Sequence, residues 1–225
     1  MRSDLEVAVV PLLFLIVPAA LALAAIFGLP RLIERGRQKA YAAFCLARGY
    51  QYVPSRSHAE SQYAEVVGMF TIGTNHKWRD EVSGVFNSRP FTAFEYQYLT
   101  GGIQFRGRYN NALIRWRLDR VSLPHFTMVP ASTYLFRIGR TPDDIDFPED
   151  KAFSKAYILT GSDQAALRAL FTPELRAALA AVPGQFVAAH AQDVFWWREG
   201  RLPGPGEFEA FLTAGDRVVN LFATG

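Results

Sequence analysis

Ala112-Leu113-Ile114-Arg115-Trp116-Arg117-Leu118-Asp119 is the stretch that decides the fold class. Ala112, Ile114, Trp116 and Leu118 alternate with Leu113, Arg115, Arg117 and Asp119. A period of two belongs to a half-buried strand with one wet face. Further strands are expected on both sides of it. Upstream, Glu81 to Phe86 and Phe91 to Leu99 flank Asn87-Ser88-Arg89-Pro90, a turn by composition, and Phe94, Tyr96 and Tyr98 share one face of the second run. Thr100-Gly101-Gly102 marks the next turn. Phe70-Thr71-Ile72-Gly73 is expected to open this sheet, and Phe126 to Val129 adds a short strand before Pro130. Still earlier, Tyr50-Gln51-Tyr52-Val53 reads as a short strand closed by Pro54. Ser57 to Val67 is polar and compatible with a short helix.

The second half of the chain switches period. After an Asp- and Pro-rich loop from Arg140 to Lys151, Ala156 to Thr160 reads as a strand. Ser162 can cap a helix beginning at Asp163, and Thr172-Pro173-Glu174 restarts it, with Thr as cap and Pro at the first helical position. Gly184 ends that segment. Gln185 to Ala189 and Val194 to Arg198 read as a hairpin. Pro203-Gly204-Pro205-Gly206 turns the chain into a last helix, with Phe208, Phe211, Leu212, Val218, Val219 and Phe222 near one face.

The N-terminus reads differently. Val7 to Leu29 is 23 residues without a charge, and a helix of that length reaches about 34 Å, enough to cross a bilayer core. Pro18 would kink it. Ala-Leu-Ala at residues 20–22 and 22–24 resembles a cleavage site, but Arg2 is offset by Asp4 and Glu6, so the segment is expected to stay as an anchor. The basic residues Arg31, Arg35, Arg37 and Lys39 follow the apolar run. The positive-inside rule then places the domain on the cytoplasmic side of a bacterial inner membrane. Arg31 to Arg48 is expected to be a helix stopped by Gly49.

The expected organisation is therefore residues 1–30 as N-terminal segment and transmembrane anchor, 31–49 as a basic helix, and 50–225 as one α+β domain. That domain is an antiparallel sheet with helices packed on one face and a C-terminal helix. The 225 residues are too few for two further domains. Half the residues are hydrophobic, and the net charge is only +3, which disfavours a nucleic-acid binder. The single Cys45 allows no intrachain disulfide, in keeping with a reducing compartment.

Chemical motifs are sparse. His58, His76, His125 and His190 form no pair at helical metal-ligand spacing, and Cys45 stands alone, so no zinc site is expected. Asp143, Asp144 and Asp146 lie in an acidic run, a weak divalent-metal candidate without the spacing of a calcium loop. There is no phosphate loop and no Gly-x-Ser-x-Gly elbow; no cofactor is implied. The most suggestive feature is basic. Arg106, Arg108, Arg115, Arg117 and Arg120 are expected on adjacent strands with Phe105, Tyr109 and Trp116 interleaved, a pattern that can hold phosphates or anionic lipid headgroups.

Two stretches also resemble a family. Phe153-Ser154-Lys155-Ala156-Tyr157-Ile158-Leu159-Thr160-Gly161-Ser162-Asp163 and Leu170-Phe171-Thr172-Pro173-Glu174-Leu175, with the Asp144 to Phe147 loop and the apolar N-terminus, resemble a family of uncharacterised bacterial membrane-anchored proteins. That resemblance implies bacterial origin and carries no catalytic residue. The leading expectation is a membrane-tethered, non-catalytic module binding a protein partner or a lipid headgroup. The alternatives are a membrane-anchored hydrolase assembled from separated residues, such as His125 with the Asp143 to Asp146 loop, and a structural subunit of a membrane complex.

Overall fold

The computed structural model describes residues 28–56, 63–64, 66–101, 107–132 and 144–223. In chain order its elements are a helix over 28–48 (α1), strands Gln51–Arg56 (β1), Thr74–Phe86 (β2), Arg89–Thr100 (β3), Gly107–Arg117 (β4) and Leu123–Pro130 (β5), helix Lys151–Ala156 (α2), strand Tyr157–Thr160 (β6), helices Gln164–Leu170 (α3) and Pro173–Ala180 (α4), strands Phe186–Ala191 (β7) and Asp193–Glu199 (β8), and helix Pro205–Ala223 (α5). The chain divides into two compact units, Met1–Ala43 and Phe44–Gly225.

In the first unit, the described helix carries Arg31, Glu34, Arg35, Arg37 and Lys39, with the Arg37 guanidinium 5.5 Å from the Tyr41 ring centre. The expected single-pass transmembrane helix, and with it the membrane reading of the fold, is corrected here: among the described residues no helix is long and apolar enough to cross a membrane. Five charges within nine residues explain why this helix does not qualify, since each would cost about 3 kcal/mol at a bilayer centre. The apolar run from Val7 to Phe27 lies outside the described residues.

The second unit is built on one eight-stranded sheet in the order β1-β2-β3-β4-β8-β7-β5-β6, and every neighbouring pair is antiparallel. Short local turns make this possible. Asn87 and Ser88 both take positive φ (49° and 62°) between paired Phe86 and Arg89. Two left-handed residues match the twist of a tight hairpin. Gly49, at φ 69°, ends α1.

Both faces of the sheet are covered. On one, Phe91, Ile114, Trp116, Trp196 and Phe126 meet the helices. Phe208 approaches Phe91 at 6.4 Å, Phe211 approaches Trp196 at 5.2 Å, and Phe171 stands edge-on to Phe126 at 5.2 Å. Gly215 lets α5 sit close: a Cβ there would lie 2.9 Å from Trp196 and 3.0 Å from Ile114. On the other face Trp78, Phe94, Tyr96, Tyr98, Leu113 and Phe195 form a second core with Val66, Val67 and Phe70.

This second core changes two expectations. Leu113 was placed on a wet face but is fully buried, because residues 63–72 fold over that side. Phe70-Thr71-Ile72-Gly73 does not open the sheet; Gly68–Thr71 is a 3-10 turn that drives Phe70 against Tyr96 at 4.6 Å. β1 also runs past Pro54 to Arg56, which an outermost strand tolerates where no donor is needed.

The acidic loop lies along β6. Ile145 N–H donates to the Leu159 carbonyl at 2.7 Å, and Leu159 N–H donates to Asp144 Oδ1 at 3.0 Å. Thr172 caps its helix as expected, whereas the preceding helix is capped by Asp163 in place of the expected Ser162 and begins at Gln164. Asp163 Oδ1 accepts from Ala166 N–H at 2.9 Å, and Thr172 Oγ1 from Leu175 N–H at 3.3 Å, ahead of Pro173.

Candidate functional site

A cleft of about 490 Å³ opens where β1 to β4 lie side by side, on the face that also carries Tyr63 and the 3-10 turn. The volume falls in the range of small-molecule sites. Ser83, Thr92, Phe94 and Arg115 are among its strand residues, with Tyr63, Trp78, Glu81 and Arg56 around them.

A strand irregularity builds one wall. Trp78 and Glu81 are three residues apart, so in a regular strand they would point to opposite faces. The β2–β3 register shifts between Arg79 and Val82, and Asp80 inside the shift takes φ 50°. This bulge brings both side chains to the cleft. Trp78 Nε1–H donates to Glu81 Oε2 at 3.0 Å. Arg56, opposite Trp78 on β1, reaches Glu81 Oε1 at 2.8 Å. Glu81 is therefore a nearly buried carboxylate with both oxygens engaged. Asp80 is held by the Tyr52 hydroxyl at 2.5 Å.

Arg115 is the other charge. It projects from β4 beside Thr92 and Phe195, its partners in register. Its Nη1 donates to the Tyr63 hydroxyl and its Nη2 to Thr92 Oγ1 at 3.3 Å. The nearest carboxylate recorded for it is Asp193, 4.0 Å from Nε. At that distance the two are ion-paired without a hydrogen bond, and a guanidinium has five donors to satisfy. The side chain is 28% exposed. Burial pushes the Tyr63 phenol above its ordinary value; Arg115 pulls the other way, and Asp193 and Glu81 add to the rise. Tyr63 thus stays a neutral O–H donor across physiological pH.

Of the candidate anion-binding arginines, Arg115 is the one among the described residues that lines the cleft. Arg117 is exposed, bonded to Gln192 at 2.7 Å and paired with Asp119 at 3.3 Å. Arg108 and Arg120 are exposed, and Arg106 lies outside the described residues.

The acidic loop is engaged in structure. Asp144 holds β6, and the Asp146 carbonyl accepts from Arg168 at 2.9 Å. Asp150 Oδ1 caps α2 by accepting from Phe153 N–H at 3.1 Å, while its Oδ2 binds Arg176 Nε at 3.1 Å. Asp143 lies outside the described residues. Among the described residues no three potential ligands gather for a metal ion. The recorded contacts do not join His125 to Asp144 or Asp146; its ring stands edge-on to His190 at 5.7 Å. His76 Nδ1 pairs with the Tyr96 hydroxyl at 2.5 Å, and His58 lies outside the described residues.

With sheet order and cleft defined, the chain can be compared with known proteins. Its fold has a solved counterpart. The mycobacterial trehalose monomycolate transport factor A, TtfA, is similar with a TM-score of 0.55 and 11% sequence identity, over 84% of this chain and 94% of that chain. At that identity the likeness is one of fold. No family model matches the sequence, and no curated protein does.

Proposed function

We propose that this protein is a non-catalytic accessory module that holds a small ligand in the β1–β4 cleft. The observation that carries this reading is the environment of Arg115. A half-buried guanidinium, 4.0 Å from its counter-charge and not hydrogen-bonded to it, is anchored by two hydroxyls at the side of a cavity large enough for a ligand. Such an arrangement binds and orients. Among the described residues that line the cleft the carboxylate is Glu81, and both its oxygens are occupied by Arg56 and Trp78, so it is poorly placed to take a proton from a substrate. The shared fold with a protein named as a transport factor agrees with a role in handling a compound without transforming it.

Native mass spectrometry of the full chain, purified from its own host, tests this. A small molecule is expected to co-purify and to be lost when Ser83→Trp fills the cleft. The recovered compound should be unchanged after long incubation with fresh protein. A ligand equally retained by the Ser83→Trp protein, or chemically converted, would sink the proposal.

A further inference from the structure

We infer that the cleft takes an amphiphilic monoanion, a carboxylate carried on an apolar body, and that Arg115 is its recognition group. This rests on the reading of the cleft as a binding site and adds the ligand class. Three observations carry it.

The first is donor supply. Among the described residues Arg115 makes two side-chain hydrogen bonds, to Tyr63 and Thr92. Its planar fork keeps further N–H groups for an acceptor, and a carboxylate matches that fork with two parallel bonds. Both hydroxyls accept from Arg115, so their own protons are directed elsewhere. Tyr63 and Thr92 therefore become donors beside the guanidinium, and Ser83 lines the same cleft. Several donors converge, and among the described residues no acceptor is hydrogen-bonded to them: Glu81 is taken by Arg56 and Trp78, and Asp193 stays 4.0 Å from the Arg115 Nε.

The second is charge. Arg56 is matched by Glu81 at 2.8 Å, and among the described residues the carboxylate paired with Arg115 is Asp193, at 4.0 Å. Arg115 therefore keeps hydrogen-bonding capacity for one carboxylate group beside Asp193. A dianion such as a phosphate monoester would set its second charge against Glu81 and Asp193, and like charges in a partly desolvated site repel strongly.

The third is the apolar share of the lining. Trp78, Phe94, Pro90 and Val85 complete the cleft, and Val85 is 60% exposed. An apolar group leaving the carboxylate would cover these surfaces. Trp78 is stacked on Phe94 at 3.4 Å, so its ring face is already taken. The apolar wall thus suits aliphatic contact better than ring stacking.

The test uses the full chain with decanoate, decanol and decyl phosphate as probes in calorimetric titrations. Decanoate is expected to bind at one site, and decanol roughly tenfold or more weakly, the ratio that a charged hydrogen-bonded pair supplies. Arg115→Gln should weaken decanoate by roughly tenfold to a hundredfold and leave decanol unchanged. Thr92→Val retains the guanidinium and keeps the question answerable should the Arg115 variant fold poorly; a loss of several-fold for decanoate alone is expected. Equal binding of decanoate and decanol, both abolished by Ser83→Trp, would overturn the anion inference and leave the cleft as a binding site. Tighter binding of decyl phosphate than of decanoate would overturn the monoanion assignment. Binding of no probe overturns this inference. The broader reading falls separately, if Ser83→Trp fails to displace the co-purified molecule.

Discussion

Arg89 Nη1 lies 2.6 Å from Asp216 Oδ1, joining the β2–β3 turn to the middle of α5. The same carboxylate accepts from Asn87 Nδ2 at 2.9 Å and Asn220 Nδ2 at 3.2 Å, and Arg89 Nη2 reaches Asn220 Oδ1 at 2.7 Å. Side-chain exposure is 17% for Arg89 and 8% for Asp216. Removing one partner from so enclosed a pair strands the other charge, which typically costs about 3 kcal/mol. Arg89→Met is expected to lower stability by about that amount in urea unfolding. Adding Asp216→Leu should recover most of the loss, because the stranded carboxylate is then gone. Full stability in the single variant would refute the arrangement.

The turn beside this pair offers a gain. Ser88 sits at φ 62° in a two-residue hairpin whose geometry favours glycine at that position. Ser88→Gly relieves the left-handed strain and leaves the Asn87 bond to Asp216 in place. We expect stabilisation of about 0.5–1 kcal/mol, read as a raised melting temperature. A lowered one would contradict the turn conformation.

Asp150 makes stability depend on pH. The hydrogen bond from Phe153 N–H, aided by Arg176, holds its carboxyl below the ordinary value of 3.8. The folded value thus lies below the unfolded one. The stabilisation is fully present above the ordinary carboxylate range and is lost as pH falls through the lowered value. Asp150→Asn should weaken the protein at pH 7, and the gap from the parent protein should close on acidification towards pH 2. A gap that stays constant with pH would show that the charge is not what matters.

Cys45 provides a probe of local opening. Burial alone pushes its thiol up to about 11, and the residue is 1% exposed. A thiol reacts as thiolate, so labelling with a disulfide reagent at pH 8 is expected to be at least a hundredfold slower in native protein than in urea. Rapid native labelling would indicate that the last turn of α1, where Phe44 stands edge-on to Phe208 at 5.6 Å, opens readily.

Much of the fold was legible because its cues are local. The alternation from Ala112 to Leu118, the Asn87-Ser88 turn, and the Thr172-Pro173 start each depend on a few consecutive residues, and each recurs in the structure. What failed was long-range or irregular. Leu113 looked wet because nothing in its own strand announces that residues 63–72 cover that face. The cleft was hidden for a related reason. Alternation places Trp78 and Glu81 on opposite faces, and only the bulge at Asp80 reunites them. Arg115 was singled out in sequence, but within a group of five of which, among the described residues, Arg115 alone lines the cleft. The apolar N-terminal run suggested a membrane-crossing helix on length and hydropathy, a test that no described helix meets.

The bonds along β6 have a consequence for crowded solutions. An open sheet ordinarily ends in strands whose vacant amides and carbonyls can recruit another chain and so seed aggregation. Here Leu159 gives its N–H to Asp144 and its carbonyl to the Ile145 amide, and at the far margin Pro54 offers no amide at all. The protein's own acidic loop takes the place that a neighbouring molecule would otherwise fill, and the sheet is closed to growth along that side.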